Sequence, residues 1–193
     1  MALSETDVGN LALSHIGGTN LSNIDDSSPK AVLVRQFFDQ SLRETLREFD
    51  WACAIRRQEL APVDGGLTQY TYRYALPLDP YCERVLSVFS PETGEDLPDD
   101  KYVIEGREVL TDTTPLSVRY MAKLSDVSEY DSLFINTWAF RLAAFLAFPI
   151  TKKSNLRGEM LQLYLLSLGS AQAVSGDEME SRDVPPIPWG DIT

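Results

Sequence analysis

The spacing of apolar residues changes twice along this chain, and that change restricts the fold more than any single motif. Over residues 58–123 the pattern is that of short strands. Tyr70, Tyr72 and Tyr74 alternate with Thr71 and Arg73, and β-rich runs follow at 84–89, 102–104, 109–110 and 116–121. Gly65, Gly66, Pro77, Pro80, Pro91, Gly94, Pro98, Gly106 and Pro115 fall between them as turns. Glu105-Gly106-Arg107, set between two runs, predicts a tight hairpin. On both sides of this stretch the apolar residues recur instead at three and four, the spacing of amphipathic helices.

Four helices are expected. Ser4, with Asp7 three residues on, is an N-cap signal, and Val8, Leu11, Ala12 and Ile16 form the stripe that Gly17-Gly18 ends. Asp26-Ser27-Ser28 before Pro29 caps a long helix reaching to about Phe49, with Val34, Phe38, Leu42, Thr45 and Phe49 on one stripe. Arg35, Asp39, Arg43 and Arg47 lie largely off that stripe and read as a solvated or subunit-facing surface. Asp131 or Ser132 caps a third helix that should stop before Pro149, because proline pushes the preceding residue out of the α region. Ala139, Ala143 and Ala147 give it a smooth face. The fourth helix is expected over 154–174, with Leu161, Tyr164, Leu165 and Leu168 on its stripe and Gly176 as its stop.

A length of 193 residues allows one domain, or one domain carrying a smaller insertion. The expected fold class is therefore α+β: a four-helix bundle-like domain (1–57 plus 124–176), an inserted antiparallel β module (58–123) and an extended C-terminal arm (177–193). The arm carries Pro185, Pro186, Ile187, Pro188 and Trp189, a composition that favours polyproline-like extension.

Composition excludes several classes. Apolar residues make up 44% and charged residues 24%, enough apolar mass for one real core and too much for wholesale disorder. The net charge of −12 argues against tight, sequence-independent adhesion to nucleic acid phosphates or anionic lipid. Cys53 and Cys82 belong to no CxxC or Cys/His spacing, so they encode neither a disulfide framework nor a zinc site and read as free thiols. Met1-Ala2-Leu3-Ser4-Glu5 lacks the basic start and apolar run of a secretory signal. The longest apolar stretch, 134–150, is interrupted by Asn136, Thr137 and Arg141, falls short of the roughly 20 residues that span a bilayer, and reads as a buried helix.

Catalytic signatures are sparse. His15 is the single histidine and has no recognisable partner pattern, so it reads as a structural or solvent-exposed residue rather than a general base. Ser27-Ser28-Pro29-Lys30 formally fits SxxK without the companion motifs of that enzyme class, and capping explains the serines better. Asp25-Asp26 and Asp99-Asp100 lack the alternating ligands of a calcium loop. No GxxxxGK[ST], GxGxxG or HExxH occurs, so no cofactor and no metal is expected. Arg56-Arg57 and Lys152-Lys153 with Arg157 are the densest basic spots, too small for a nucleic-acid groove.

Acidic charge, by contrast, is concentrated. Glu92, Glu95, Asp96, Asp99, Asp100, Glu105, Glu108 and Asp112 face only Lys101 and Arg107 in the same stretch, a local balance of −6 and half the charge of the chain. The arm is the other unusual feature. Interfaces favour tryptophan anchors, and a preordered extended segment loses less entropy on docking, so the arm reads as partner-binding.

The first sixty residues together resemble the podovirus tail tubular protein A and head-to-tail adaptor family. Val8-Gly9-Asn10-Leu11-Ala12-Leu13-Ser14-His15-Ile16-Gly17 is similar to its "N.AL..LG" helix, and Asp25-Asp26-Ser27-Ser28-Pro29-Lys30-Ala31 to its "D.S..A" helix start. Leu46 to Trp51 with Arg56-Arg57-Gln58-Glu59-Leu60 is similar to the "L....W.....R..L" run that leaves the long helix and enters the first strand. Beyond Leu60 the resemblance is one of architecture alone. It implies a non-enzymatic virion protein, made in the host cytoplasm, whose copies form a dodecameric ring. The portal protein would lie on one side of the ring and the tail nozzle or tail tube protein on the other. DNA passes through such a ring without specific binding, and no membrane is involved. Glu92, Glu95, Asp96, Asp99, Asp100, Glu105 and Glu108 would line the channel and repel the duplex, since each basic contact would add counterion-release affinity and retard passage. A rival reading is a hydrolase of cell wall or nucleic acid working through paired carboxylates in a cleft. A third is a monomeric binding adaptor or assembly chaperone whose Trp189 arm captures one partner.

Overall fold

Local capping chemistry sets the helix boundaries. Ser4 Oγ accepts from the Asp7 N–H while the Asp7 carboxylate accepts from the Ser4 N–H at 2.9 Å, a reciprocal capping box that opens helix α1 (Glu5–His15). Gly17, at φ 72°, takes the left-handed conformation that turns the chain after it. Ser28 caps α2 (Pro29–Glu48), with Pro29 at the first helical position, where its missing N–H costs nothing. The Asp131 carboxylate accepts from the Phe134 N–H at 2.7 Å and opens α3 (Ser132–Thr151). The last helix, α4, spans Ser154–Glu180. The computed structural model describes residues 3–64 and 69–180.

Two helices run past their expected ends. α3 continues through Pro149, because a proline in the final turn removes one donor only, and Lys152 closes the helix from a left-handed conformation (φ 60°), its N–H donating to Phe148 O at 3.0 Å. α4 continues through Gly176. A helical glycine costs about 1 kcal/mol relative to alanine, too little to end a helix by itself. Residues 177–180, expected in the arm, are therefore helical. The rest of the arm, with Pro185, Pro186, Ile187, Pro188 and Trp189, lies outside the described residues, as do Gly65 and Gly66.

Between α2 and α3 the chain forms two three-stranded antiparallel sheets. β1 (Ile55–Glu59), β3 (Tyr81–Phe89) and β6 (Ser117–Lys123) form one, in the order β1-β6-β3; β2 (Tyr72–Ala75), β4 (Tyr102–Glu105) and β5 (Glu108–Thr111) form the other, in the order β2-β5-β4. Glu105 pairs with Glu108, leaving Gly106-Arg107 as the expected tight hairpin, and Gly106 at φ 59° supplies the positive angle at its first loop position. β1 begins at Ile55, so the first sheet reaches back across the boundary expected at residue 57.

The fold is α+β, and its helical part is organised around α3, against which α1, α2 and α4 each pack. The aromatic core lies at that hub. Tyr130 stacks on Phe134 (4.4 Å between ring centroids), Trp51 meets Phe134 edge-on at 5.0 Å, and Phe38 meets Trp138 edge-on at 4.7 Å. Both buried indoles are satisfied. Trp138 Nε1 donates to Ser41 Oγ at 2.9 Å, Ser41 Oγ donates onward to Phe38 O, and Trp51 Nε1 donates to Thr45 O at 2.8 Å. Ala139, Ala143 and Ala147 are fully buried. α3 is long and apolar enough by composition to cross a membrane, yet more than half of its most apolar window is buried inside the protein.

The charges on α2 make contacts within the chain. Arg43 and Arg47 bracket the carboxylate of Glu83 on β3, Arg35 donates to the carbonyls of Ile24 and Asp26, and Asp39 is paired with Arg43 and Lys123. They join the helix to the first sheet and to the loop before it.

Candidate functional site

α4 presents the most unusual surface. Its seventeen residues from Met160 to Gly176 contain no charge. One side is buried on α3 through Met160, Tyr164, Leu168 and Ala171. The opposite side is uncharged and mixed: Leu163, Leu166 and Ala173 stand with Gln162 and Ser170, and Leu165 and Val174 lie at its edges. Leu165 and Leu166 are 63% and 68% exposed, Leu163 39% and Val174 47%. A Cβ added at Gly169 would meet nothing, so this side is open to an incoming surface. Leu165, expected on the buried stripe, faces outward, because leucines spread around the whole helix give no periodicity from which to choose a face. The legible signal was the missing charge in a chain of net charge −12.

The acidic segment is surface. Glu92, Glu95, Asp96, Asp99, Asp100 and Glu105 are exposed, while Glu108 is half-buried and paired with Arg73 across the second sheet at 2.5 Å. Asp112 accepts from the Thr71 hydroxyl and N–H, which hold its carboxyl below the ordinary value. Tyr102 donates to Asp99 at 3.3 Å. The seven acids expected to line a channel thus sit on the β4–β5 hairpin and the loop leading to it; six are exposed, Asp100 among them within 3.9 Å of Lys101, and one is tied into the sheet.

A cleft of about 450 Å³ opens between the start of α1, α2 and residues 123–127, with Phe38, Leu42, Leu124, Val127 and Trp138 as its apolar lining. Glu5, Asp25 and Asp39 are its acids. Burial pushes the Asp39 carboxyl up, but Lys123 and Arg43 outweigh that and hold it below its ordinary value, so it stays an anion rather than a proton donor.

His15 stacks on Phe140 with 4.2 Å between ring centroids, and burial lowers its pKa. Cys82 is buried and Cys53 half-buried, and burial pushes their thiols up to about 11 and about 12, where thiolate is scarce. Among the described residues no group of three or more His, Cys, Asp or Glu side chains is placed to hold a metal ion. No protein-family model matches the chain, and no curated protein matches it in sequence.

Proposed function

We propose that the chain is a bacteriophage virion subunit, a head-to-tail adaptor whose copies close into an oligomeric ring, of dodecameric size, between portal and tail. The observation that carries this reading is the uncharged outer face of α4. Leucines left in water on a helix face without charge are unfavourable, and the cores of protein interfaces are depleted of charge in the same way. A contact between this face and a different face of the next copy is heterologous, and a heterologous contact with a closing rotation generates a ring.

Two further features support the reading. The exposed acids Glu92, Glu95, Asp96, Asp99, Asp100 and Glu105, with Glu108 beside them, suit a surface that DNA passes without binding, since phosphate and carboxylate repel at short range. The segment Pro185-Pro186-Ile187-Pro188-Trp189 has the composition of a docking peptide for the portal or a neighbouring subunit, and the tail nozzle or tail tube protein is the partner on the far side. The resemblance of the first sixty residues to the adaptor family supplies the biological setting, a virion assembled in the host cytoplasm.

Light scattering of the purified chain, alone and with portal protein, tests the proposal. A monomeric or weakly associated chain that forms a closed ring on portal is the expected result. A fixed monomer at saturating portal overturns it.

A further inference from the structure

Strands β1, β6 and β3 place Arg57, Arg119 and Ser87 in one row across the first sheet, because Arg57 pairs with Arg119 and Arg119 with Ser87. Residues directly opposite in antiparallel strands share a face, so two guanidinium groups and a hydroxyl lie side by side. Like charges in that position destabilise a sheet unless something neutralises them. Among the described residues no ion pair does so, whereas Arg56, the neighbour of Arg57, is paired with Glu129 and Arg84 with Asp50. The Nε of Arg119 and the Oγ of Ser87 are both buried and have no hydrogen-bond partner among the described residues. An unpartnered buried donor is costly, and two on the same face beside an unpaired guanidinium are a strong signal that something is meant to accept from them.

These three residues, with Phe89, Gly94 and Asp96, line a pocket of about 240 Å³ roofed by the loop after β3. We propose that it is an oxyanion site and that its ligand is a phosphate group. Arginine's planar fork matches phosphate in bidentate geometry, and donors arriving from three adjacent strands suit a tetrahedral anion with several acceptor oxygens better than a planar carboxylate, which one fork saturates. Asp96 is the opposing element. It forms no ion pair with either arginine, and its charge on the pocket wall weakens anion binding. The site takes an isolated phosphate group and not the backbone of a duplex, whose neighbouring phosphates would meet Asp96 and the acids that follow it.

The test titrates inorganic phosphate into the full chain at constant ionic strength, with chloride as the control, reading the ³¹P line width and the melting temperature together. Saturable binding and a raised melting temperature in phosphate, but not in chloride, are expected. Arg57→Gln and Arg119→Gln should each weaken binding at least about tenfold, the loss expected for removing a charge-assisted donor pair. Asp96→Asn should tighten it. Arg57 is exposed on an edge strand, so its variant reports on the site even if Arg119→Gln fails to fold. Equal response to phosphate and chloride, or unchanged affinity in Arg57→Gln, overturns the proposal.

Discussion

Replacing Leu163, Leu165 and Leu166 together by glutamine separates a functional outer face on α4 from an incidental one. Glutamine and leucine have nearly the same helix propensity, so the helix itself is barely perturbed. The three side chains are 39%, 63% and 68% exposed, so more than half of their combined surface is left for a contact and the rest, chiefly that of Leu163, belongs to folding. Full burial of a leucine is worth about 1.5–3 kcal/mol. Covering the exposed fractions of all three in a contact between copies therefore contributes about 2.5–5 kcal/mol per interface. At about 1.4 kcal/mol per factor of ten, the triple variant should weaken subunit association by roughly two to three and a half powers of ten. Sedimentation or light scattering with portal protein gives the association, and thermal unfolding of the free chain gives the control. The reasoning fails if the variant assembles as the parent does.

Other parts of the molecule make equally definite demands. Ser41→Ala removes the acceptor of the fully buried Trp138 indole and should cost about 1–3 kcal/mol in chemical denaturation, whereas a cost near zero would mean the indole finds another partner. Burial holds the His15 imidazole below its ordinary 6.5, so the unfolded chain takes up the proton first; stability should be full above that value and decline as the pH falls through it. Melting curves of His15→Phe should lose that component, and an unchanged profile would assign it elsewhere. Replacing Glu92, Glu95, Asp99 and Asp100 by lysine should shift stability by no more than about 0.5 kcal/mol each, as they are exposed, while slowing DNA passage most at low salt. Passage rates unaffected at low salt would remove these acids from the DNA path. Thiol titration should find Cys53 and Cys82 slow in the native chain at pH 8 and fast after denaturation, given thiols pushed up to about 12 and about 11.

Local chemistry is legible in the order of the residues. Ser4, Ser28 and Asp131 start helices because a side-chain oxygen close in the chain meets an otherwise unpaired N–H, and Gly106 makes a hairpin because glycine tolerates a positive φ. Those interactions span a few residues, so they are written in the order of the residues. The helices expected to end at Pro149 and Gly176 run on to Thr151 and Glu180, since each of those residues only biases a terminus. Which side of α4 faces out is set by tertiary packing, because a helix with leucines on every side has no preferred face until α3 covers one. Tertiary structure also decided that the strands divide into two sheets and that Arg57, Arg119 and Ser87 stand in one row. Residues 57, 87 and 119 are brought together only by strand register, which is fixed by the long-range packing of the sheet and not by anything near them in the chain.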